Sequence, residues 1–485
     1  MSLGTNESKY ELVSGLEIHV QLNTNSKIFS ADSASFGGLP NQNISTVSLA
    51  LPGALPKLNK EVIAKAIRIG LALNCSINQI NHFDRKNYFY ADLPKGYQIT
   101  QDNQPICING FVEVELADGS TKKIGINRIH LEEDAGKSIH DQNVNYSLVD
   151  LNRAGVPLIE IVTEPDIRSA EEASALLSEI RKLVRHLNVS DGNMEEGSLR
   201  CDANISIREF GSEAYGTRCE VKNLNSMRNV RTAMNFEFTR QVEVISNGGK
   251  IIQSTLNFDA EHGTTSPMRT KEEANDYRYF ADPDLPPVQI SDEWLAKIKS
   301  EMPILPSEIS KQLISEFSIS KADAALFAED IDLLNYFNLA LPNVNNKKSL
   351  TNWLIGPIRA LLNEREIAIV DYKIKPSQMA DAINLVDDKK ITQQIAIQQL
   401  LPAVEESQIA DVADLAKTLN LLITENVDEL DSFIDEVLNN YPQQVMAYKK
   451  GKKGVLGLFV GDVMKLAKGK ADAKKLNELI IEKLK

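Results

Sequence analysis

LEIHVQL, residues 16–22, decides how the first half of this chain is read. Leu16, Ile18, Val20 and Leu22 alternate with Glu17, His19 and Gln21. In an extended strand residues i and i+2 share a face, so the segment predicts a β-strand with one apolar face and one face of chemically capable side chains. The same period recurs downstream. Leu199–Arg208 places Arg200, Asp202, Asn204, Ser206 and Arg208 opposite Leu199, Cys201, Ala203, Ile205 and Ile207. Arg218, Glu220 and Lys222 form a further row, as do His130, Glu132 and Asp134. Leu158–Val162 and Ile251–Phe258 complete the strand set.

An antiparallel sheet with one solvated face would give the same alternation. Two features weigh against it. The rows concentrate His, Glu, Asp and Arg, whereas a merely wet face tends towards Lys, Glu and Thr. Glu160 also sits within VPLIEIV (156–162), apolar on both sides. A carboxylate there is costly unless a cation or several donors compensate it. Carboxylates and an imidazole converging from several strands would suit a hard divalent cation, Mg²⁺ or Mn²⁺. Such an ion holds nucleotide phosphates while Arg and Lys neutralise developing charge.

Working outward, two helices interrupt the strands. Ser169 with Glu172 has capping-box spacing, and Ser226 opens a second helix that Asn247-Gly248-Gly249 closes. After about Ser291 helical periodicity takes over, as in Ile309–Phe317, Lys321–Ala328 and Ser349–Asn363. Past 402–405 come shorter helices, Gln408–Leu421, Val427–Leu438 and Lys474–Leu484, with a Gly-Lys-Lys-Gly turn at 451–454. The expected fold class is therefore α+β: a mixed or antiparallel β-sheet domain with inserted helices over 1–292, a helical domain over 293–404, and a small helical tail over 405–485. A chain of 485 residues exceeds what one core supports, about 250–300 residues.

The net charge of −14 excludes a protein that coats nucleic acid nonspecifically. Charge is nonetheless uneven. Residues 405–440 carry ten acids and one lysine, and 449–485 carry eleven lysines and four acids. The basic end suits local phosphate contact, or simply a solvated helix face. Four cysteines without a CxxC pair argue against a disulfide scaffold or zinc. No long apolar run spans a membrane, the first fifteen residues lack a signal-peptide pattern, and the cytosol is the default. There is no GxxxxGK[ST] loop, so an ATP site would be of an uncommon type. No Ser or Cys nucleophile with a base is evident, so ammonia from glutamine would have to come from another chain.

Ten segments, in order, carry a family resemblance: GLEIHVQL (15–22), KIFS (27–30), LPGALPKLN (51–59), FDRKNYFYADLPKGYQITQ (83–101), HLEEDAGK (130–137), DLNRAGVPLIEIVTEPD (150–166), MEEGSLRCDANIS (194–206), CEVKNLNS (219–226), MRTKEEANDYRYFADPDLPP (268–287) and GKKGVLGLFVGDVMKLAKGKA (451–471). They resemble the B-subunit family (GatB/GatE) of the glutamyl/aspartyl-tRNA amidotransferases. The resemblance implies a cradle domain, a helical domain and a YqeY-like tail. It implies a heterotrimer with an amidase (the A component) and a small C component, acting on misacylated tRNA(Gln) or tRNA(Asn), with no DNA or membrane partner. It implies that the cradle phosphorylates the tRNA-borne carboxylate with ATP and Mg²⁺, and that ammonia from the amidase arrives through a polar tunnel. Carried onto this chain, the metal and phosphate ligands are Glu17, His19, Glu132, Glu160 and Asp202, with Glu132 and Glu160 also catalytic. Lys86, Tyr88 and Lys95 match the segment of the tunnel end and site entrance. Arg200, Glu220 and Lys222 join as nucleotide-binding candidates from the strand-face pattern alone. Lys449, Lys450, Lys452, Lys453, Lys468 and Lys470 are the expected tRNA contacts. Some family members carry a zinc near KIF, but here 27–53 has no cysteine, and no zinc is expected. A non-catalytic tRNA-binding scaffold and a free-standing metal hydrolase are the competing classes, and the lack of a water-activating base disfavours the second.

Overall fold

The computed structural model describes residues 9–139, 146–270, 277–317, 319–407, 411–423, 427–467 and 469–484. The chain divides into two compact units, Met1–Leu305 and Pro306–Lys485.

The first unit is built on a nine-stranded sheet. Its strands, in chain order, are β1 (Tyr10–Gln21), β2 (Ser76–Ile77), β3 (Cys107–Glu115), β4 (Thr121–Glu133), β5 (Pro157–Thr163), β6 (Leu199–Glu209), β7 (Cys219–Leu224), β8 (Ser254–Asp259) and β9 (Thr264–Thr270). Their order across the sheet is β9-β8-β7-β6-β1-β5-β4-β3-β2. All neighbours run antiparallel except β7 and β8. The first strand thus lies at the centre, with chemistry-bearing strands on both flanks. Leu16, Ile18, Val20, Cys201, Ala203, Ile159, Ile161, Ile129 and Leu131 all enter one core. Helices cover that apolar face, leaving the alternate residues on the other.

Those helices are α1 (Lys60–Ala72), α2 (Ala170–His186) and α3 (Met227–Ser246), with α4 (Asp292–Ser300) following the sheet. Ser226 Oγ accepts from Asn229 N as the α3 cap. Ser169 Oγ accepts from Glu172 N at 3.1 Å, but the Glu172 carboxylate accepts from Arg168 N at 2.7 Å. The return half of the expected box therefore falls one residue early, and Lys122 fixes the same carboxylate at 2.6 Å.

The expectation of two inserted helices needs correcting, because α1 is a third. Its Val, Ile and Ala content resembles a strand, yet Val62, Ile63, Ala66, Ile67, Ile69 and Leu73 are all fully buried at helical spacing. Asn59 caps it by accepting from Glu61 N. Glycines let it approach the sheet. A Cβ on Gly70 would stand 2.4 Å from Cys107 Sγ, and one on Gly110 would stand 2.3 Å from Cys75 Sγ. Those two cysteines are packing partners of glycines.

A small three-stranded sheet, Asp84–Asn87, Tyr97–Thr100 and Phe280–Ala281, lies beside β4. Gln98 Nε2 donates to Glu133 O and Gln101 Oε1 accepts from Leu131 N, so this segment crosses the end of β4. His130, Glu132 and Glu133 are consequently buried rather than wet.

The second unit is helical. One core gathers residues from Ile309 to Leu421 and smaller ones gather Leu430 to Leu484. The run expected to be one helix over 349–363 is helical, but it widens to π turns over Leu354–Ile358, where Pro357 has no N–H to donate. Pro442–Lys449 and Leu456–Leu466 are helices flanking the Gly-Lys-Lys-Gly turn. Among the described residues no helix is long and apolar enough to cross a membrane.

Candidate functional site

Strand register assembles the site. His19 on β1 lies opposite Glu160 on β5, and Glu160 lies opposite His130 on β4. On the other flank His19 lies opposite Arg200 and Glu17 opposite Asp202, both on β6. Asn204 of β6 then pairs with Glu220 of β7. Side chains at paired positions share a face, so five strands deliver their polar residues to one surface.

Two groups of ligand-type atoms result. His19, Glu132 and Glu160 each offer an atom within 4.8 Å of the others, and so do Glu17, Asp202 and Glu220. In the first group His19 Nε2 stands 3.5 Å from Glu160 and 3.7 Å from Glu132. His130 Nε2 stands 3.2 Å from Glu160 and 3.8 Å from Glu132. Burial opposes charge on both imidazoles, but Glu160 and Glu132 outweigh it: His19 is raised from its ordinary value and His130 is raised to about 9. Burial likewise opposes charge on Glu160, and the His130 imidazolium holds its carboxyl well below the usual range. This is the compensation that a carboxylate inside an apolar strand requires.

In the second group Glu17 is raised by burial and by the charge of Glu160, while Asn204 donates to its Oε1 at 2.9 Å. Lys222 Nζ contacts Asp202 at 2.5 Å and Glu220 at 2.8 Å. Burial opposes its charge, but the two carboxylates raise it well above the ordinary lysine value. Thr255 Oγ1 donates to the other Glu220 oxygen.

The donor chemistry of both groups fits a hard or borderline divalent cation. One set is an imidazole with two carboxylates and the other is three carboxylates. Both contribute to one cleft of about 370 Å³, lined by Glu17, Glu132, Glu160, His130, Lys86 and Arg128 among others. Tyr279 and Arg218 stand at the same cleft.

The structure brings Glu17, His19, Glu132, Glu160, Asp202, Glu220, Lys222 and Lys86 together. Tyr88 stands beside them, its hydroxyl 3.4 Å from Gln98 Oε1 and its ring edge-on to Tyr90 and Tyr277. Lys86 lies over the Tyr277 ring at 4.8 Å. Arg200 is turned to Asp134, which it contacts at 3.0 Å together with Gln21 at 2.7 Å. Lys95 is elsewhere: it pairs with Glu133, whose Oε1 also accepts from Ile99 N, and it lines a separate small cavity. Lys449, Lys450, Lys452 and Lys453 are exposed in the second unit, Lys470 is half-buried there, and Lys468 lies outside the described residues.

Sequence reasoning placed His130 in a polar row without making it a site residue, and it left out Glu133. The alternation was a usable signal for His130. Nothing local marks Glu133, which faces the apolar side of its strand by period. Lys27 was also passed over, although it is buried.

Comparison with known proteins follows the same division. The GatB/GatE catalytic domain family matches residues 12–296, and the family described as GatB domain (GatB_Yqey) matches residues 335–484. The B subunit of the aspartyl/glutamyl-tRNA(Asn/Gln) amidotransferase from Rickettsia conorii is 48% identical over 479 residues, covering 99% of this chain and 98% of that protein. The protein of the same name from Trichlorobacter lovleyi is 46% identical over 476 residues, covering 98% and 99%. That of Clostridium novyi is 45% identical over 477 residues, also covering 98% and 99%.

Proposed function

The chain belongs to the GatB/GatE family, as a B subunit of the aspartyl/glutamyl-tRNA(Asn/Gln) amidotransferase, and from that premise we propose that its polar sheet face is where the tRNA-borne carboxylate is activated. The enzyme is a ligase that works within a complex and converts misacylated Glu-tRNA(Gln) or Asp-tRNA(Asn) to the amidated form. The partners we assign are an amidase and a small third component, in the cytosol where tRNA is charged.

The reading rests on one observation: Glu132 and Glu160 of the first ligand group and Glu17 of the second line one cleft together with Lys86. A carboxylate is a poor electrophile. Transfer of the ATP γ-phosphoryl group to its oxygen makes an acyl phosphate and releases ADP. Ammonia then forms the C–N bond and phosphate leaves with the C–O bond. Mg²⁺ or Mn²⁺ held by the two groups would neutralise phosphate charge and align the reacting oxygens. The chain's own contribution is positional. His130 keeps Glu160 ionised, Asn204 orients Glu17, and Lys222 fixes Asp202 and Glu220. Lys86 and Arg128 bring positive charge to the cleft that receives the transferred group. Lys95 and Tyr88 belong, in this reading, to the end of the ammonia route. The exposed lysines about 449–453 contact the tRNA backbone, as does Lys470.

The test is ADP release by the assembled complex given Mg²⁺, ATP and Glu-tRNA(Gln), with wild type set against Glu160→Gln. The expected result is tRNA-dependent ADP formation that falls about 100-fold or more in the variant, with assembly and tRNA binding kept. Full ADP formation in the variant would make Glu160 structural and move a tRNA-binding scaffold ahead.

A further inference from the structure

Lys27 is 1% exposed, yet among the described residues no carboxylate touches its ammonium. Its Nζ donates to Asn43 O at 2.7 Å, Ser48 Oγ at 3.3 Å and Leu151 O at 3.3 Å. Three N–H bonds meet three uncharged acceptors, so the group is fully used. Burial pushes it down to about 8, against the weaker opposing pull of Asp32 and Glu133. A methionine would fill the same volume without a charge to desolvate, so the ammonium has to be explained by what it holds.

It holds a loop. Residues 30–58 contain no helix or strand, a length that is uncommon in a compact domain unless the loop is functional. Asn43 and Ser48 belong to this loop and Leu151 to the 151–156 turn. Ser48 Oγ, which accepts from Lys27, donates onward to Asp32 at 3.0 Å. Asn41 and Asn43 pair with Asp150 and Asn152 alongside. The lysine is therefore the buried centre of a polar seam that fastens the loop to the segment leading into β5.

Behind the seam lies a cavity of about 20 Å³, bordered by Lys27, Phe29, Ser48, Lys95, Glu133 and Gly155. One water-sized molecule requires roughly 10–15 Å³. The Lys95–Glu133 ion pair forms one wall and the 30–58 loop another. Lys27 and Lys95 border it together with Glu133 and Asp134, and its volume suits a guest of the size of water or ammonia.

We propose that Lys27 is a positioning residue of the ammonia route, fastening the 30–58 loop as the wall of a one-molecule chamber beside the Lys95–Glu133 pair. The inference rests on the reading that ammonia passes Lys95. Because its three N–H bonds are taken up by the loop and the adjoining turn, Lys27 does not itself handle the guest. Its loss opens the wall, and ammonia released from glutamine escapes before reaching the acyl phosphate.

The experiment uses the complete heterotrimer and misacylated tRNA. It measures ADP release, amide formed with glutamine, and amide formed with added ammonium chloride, for wild type, Lys27→Met, Ser48→Ala and Lys95→Met. Lys27→Met is expected to lose about tenfold of the glutamine-driven product while ADP release and ammonium-driven product stay within twofold. Ser48→Ala, which removes one of the three acceptors and leaves the lysine in place, is expected to shift the same ratio by a smaller factor. If neither variant changes the glutamine-to-ammonium ratio, or if Lys27→Met lowers all three readouts in parallel and Ser48→Ala leaves the ratio alone, the role is only structural and the inference falls. Lys95→Met separates this from the larger reading: uncoupling there without uncoupling at Lys27 overturns the inference alone. Coupling intact in Lys95→Met removes the route itself.

Discussion

Glu160 and Lys27 are both charged groups in apolar surroundings, and they are compensated in opposite ways. Glu160 is met by two imidazoles, which hold it ionised. Lys27 is met only by dipoles, and its ordinary value of 10.5 falls to about 8. The second case yields a stability prediction. Below about pH 8 both folded and unfolded chains carry the charge, and the folded one bears the desolvation cost. Between about 8 and 10.5 the unfolded chain binds more protons, so folding becomes more favourable as pH rises. Above that window the effect levels off. The stability of wild type relative to Lys27→Met is therefore expected to rise by up to about 3 kcal/mol between pH 7.5 and 10.5. Paired denaturant titrations across that range would show it, and a flat or falling difference would mean that the ammonium is not held in an apolar site.

At the scale of elements, the packing of α1 on β3 depends on two glycines. Helix and strand meet where Gly70 leaves room for Cys107 and where Gly110 leaves room for Cys75. Gly70→Ala would drive a methyl into a sulfur at 2.4 Å with the helix backbone fixed. Overpacking of this kind costs roughly 1–3 kcal/mol, so a lower denaturation midpoint is expected although alanine is the better helix former. Restoration by a compensating Cys107→Ala would confirm that the sulfur is what the methyl meets. The same element shows a limit of pattern reading. Its isoleucines and valine favour a strand by propensity, and only burial on a helical period reveals the helix. By contrast β1 and β6 were legible because their alternation is strict and one face is buried, so a slip of one residue would invert every side chain.

For the whole molecule, the acidic average of the chain contrasts with its basic end. A net charge of −14 disfavours indiscriminate nucleic-acid binding, while the exposed lysines at the 451–454 turn concentrate positive charge at the tRNA contact proposed above. Replacing Lys452 and Lys453 together by Gln is expected to weaken tRNA binding by about tenfold at low salt. It should also reduce the slope of log affinity against log salt by roughly 1 to 2. Filter binding at several salt concentrations reads both numbers. An unchanged slope would remove these lysines from the interface. ADP release at saturating tRNA should be unaffected, because the carboxylate groups belong to the first unit.

Sequence by itself determined the class of fold, the two textures of chain and which residues share each strand face. Those properties depend on periodicity and composition, which are local. It also placed Glu17 with His19, and Arg200 with Asp202, on one face of their own strands, while the grouping of Glu17, His19, Glu132, Glu160 and Asp202 as one ligand set was what the family resemblance implied. Only tertiary structure decided which rows became neighbours, because strand order is a long-range choice that brings β1 between β5 and β6. It alone separated Lys95 from the carboxylates and joined Glu220 to Glu17 and Asp202. It alone buried Lys27, whose partners lie 16 to 124 residues away along the chain, a distance over which no local pattern carries information.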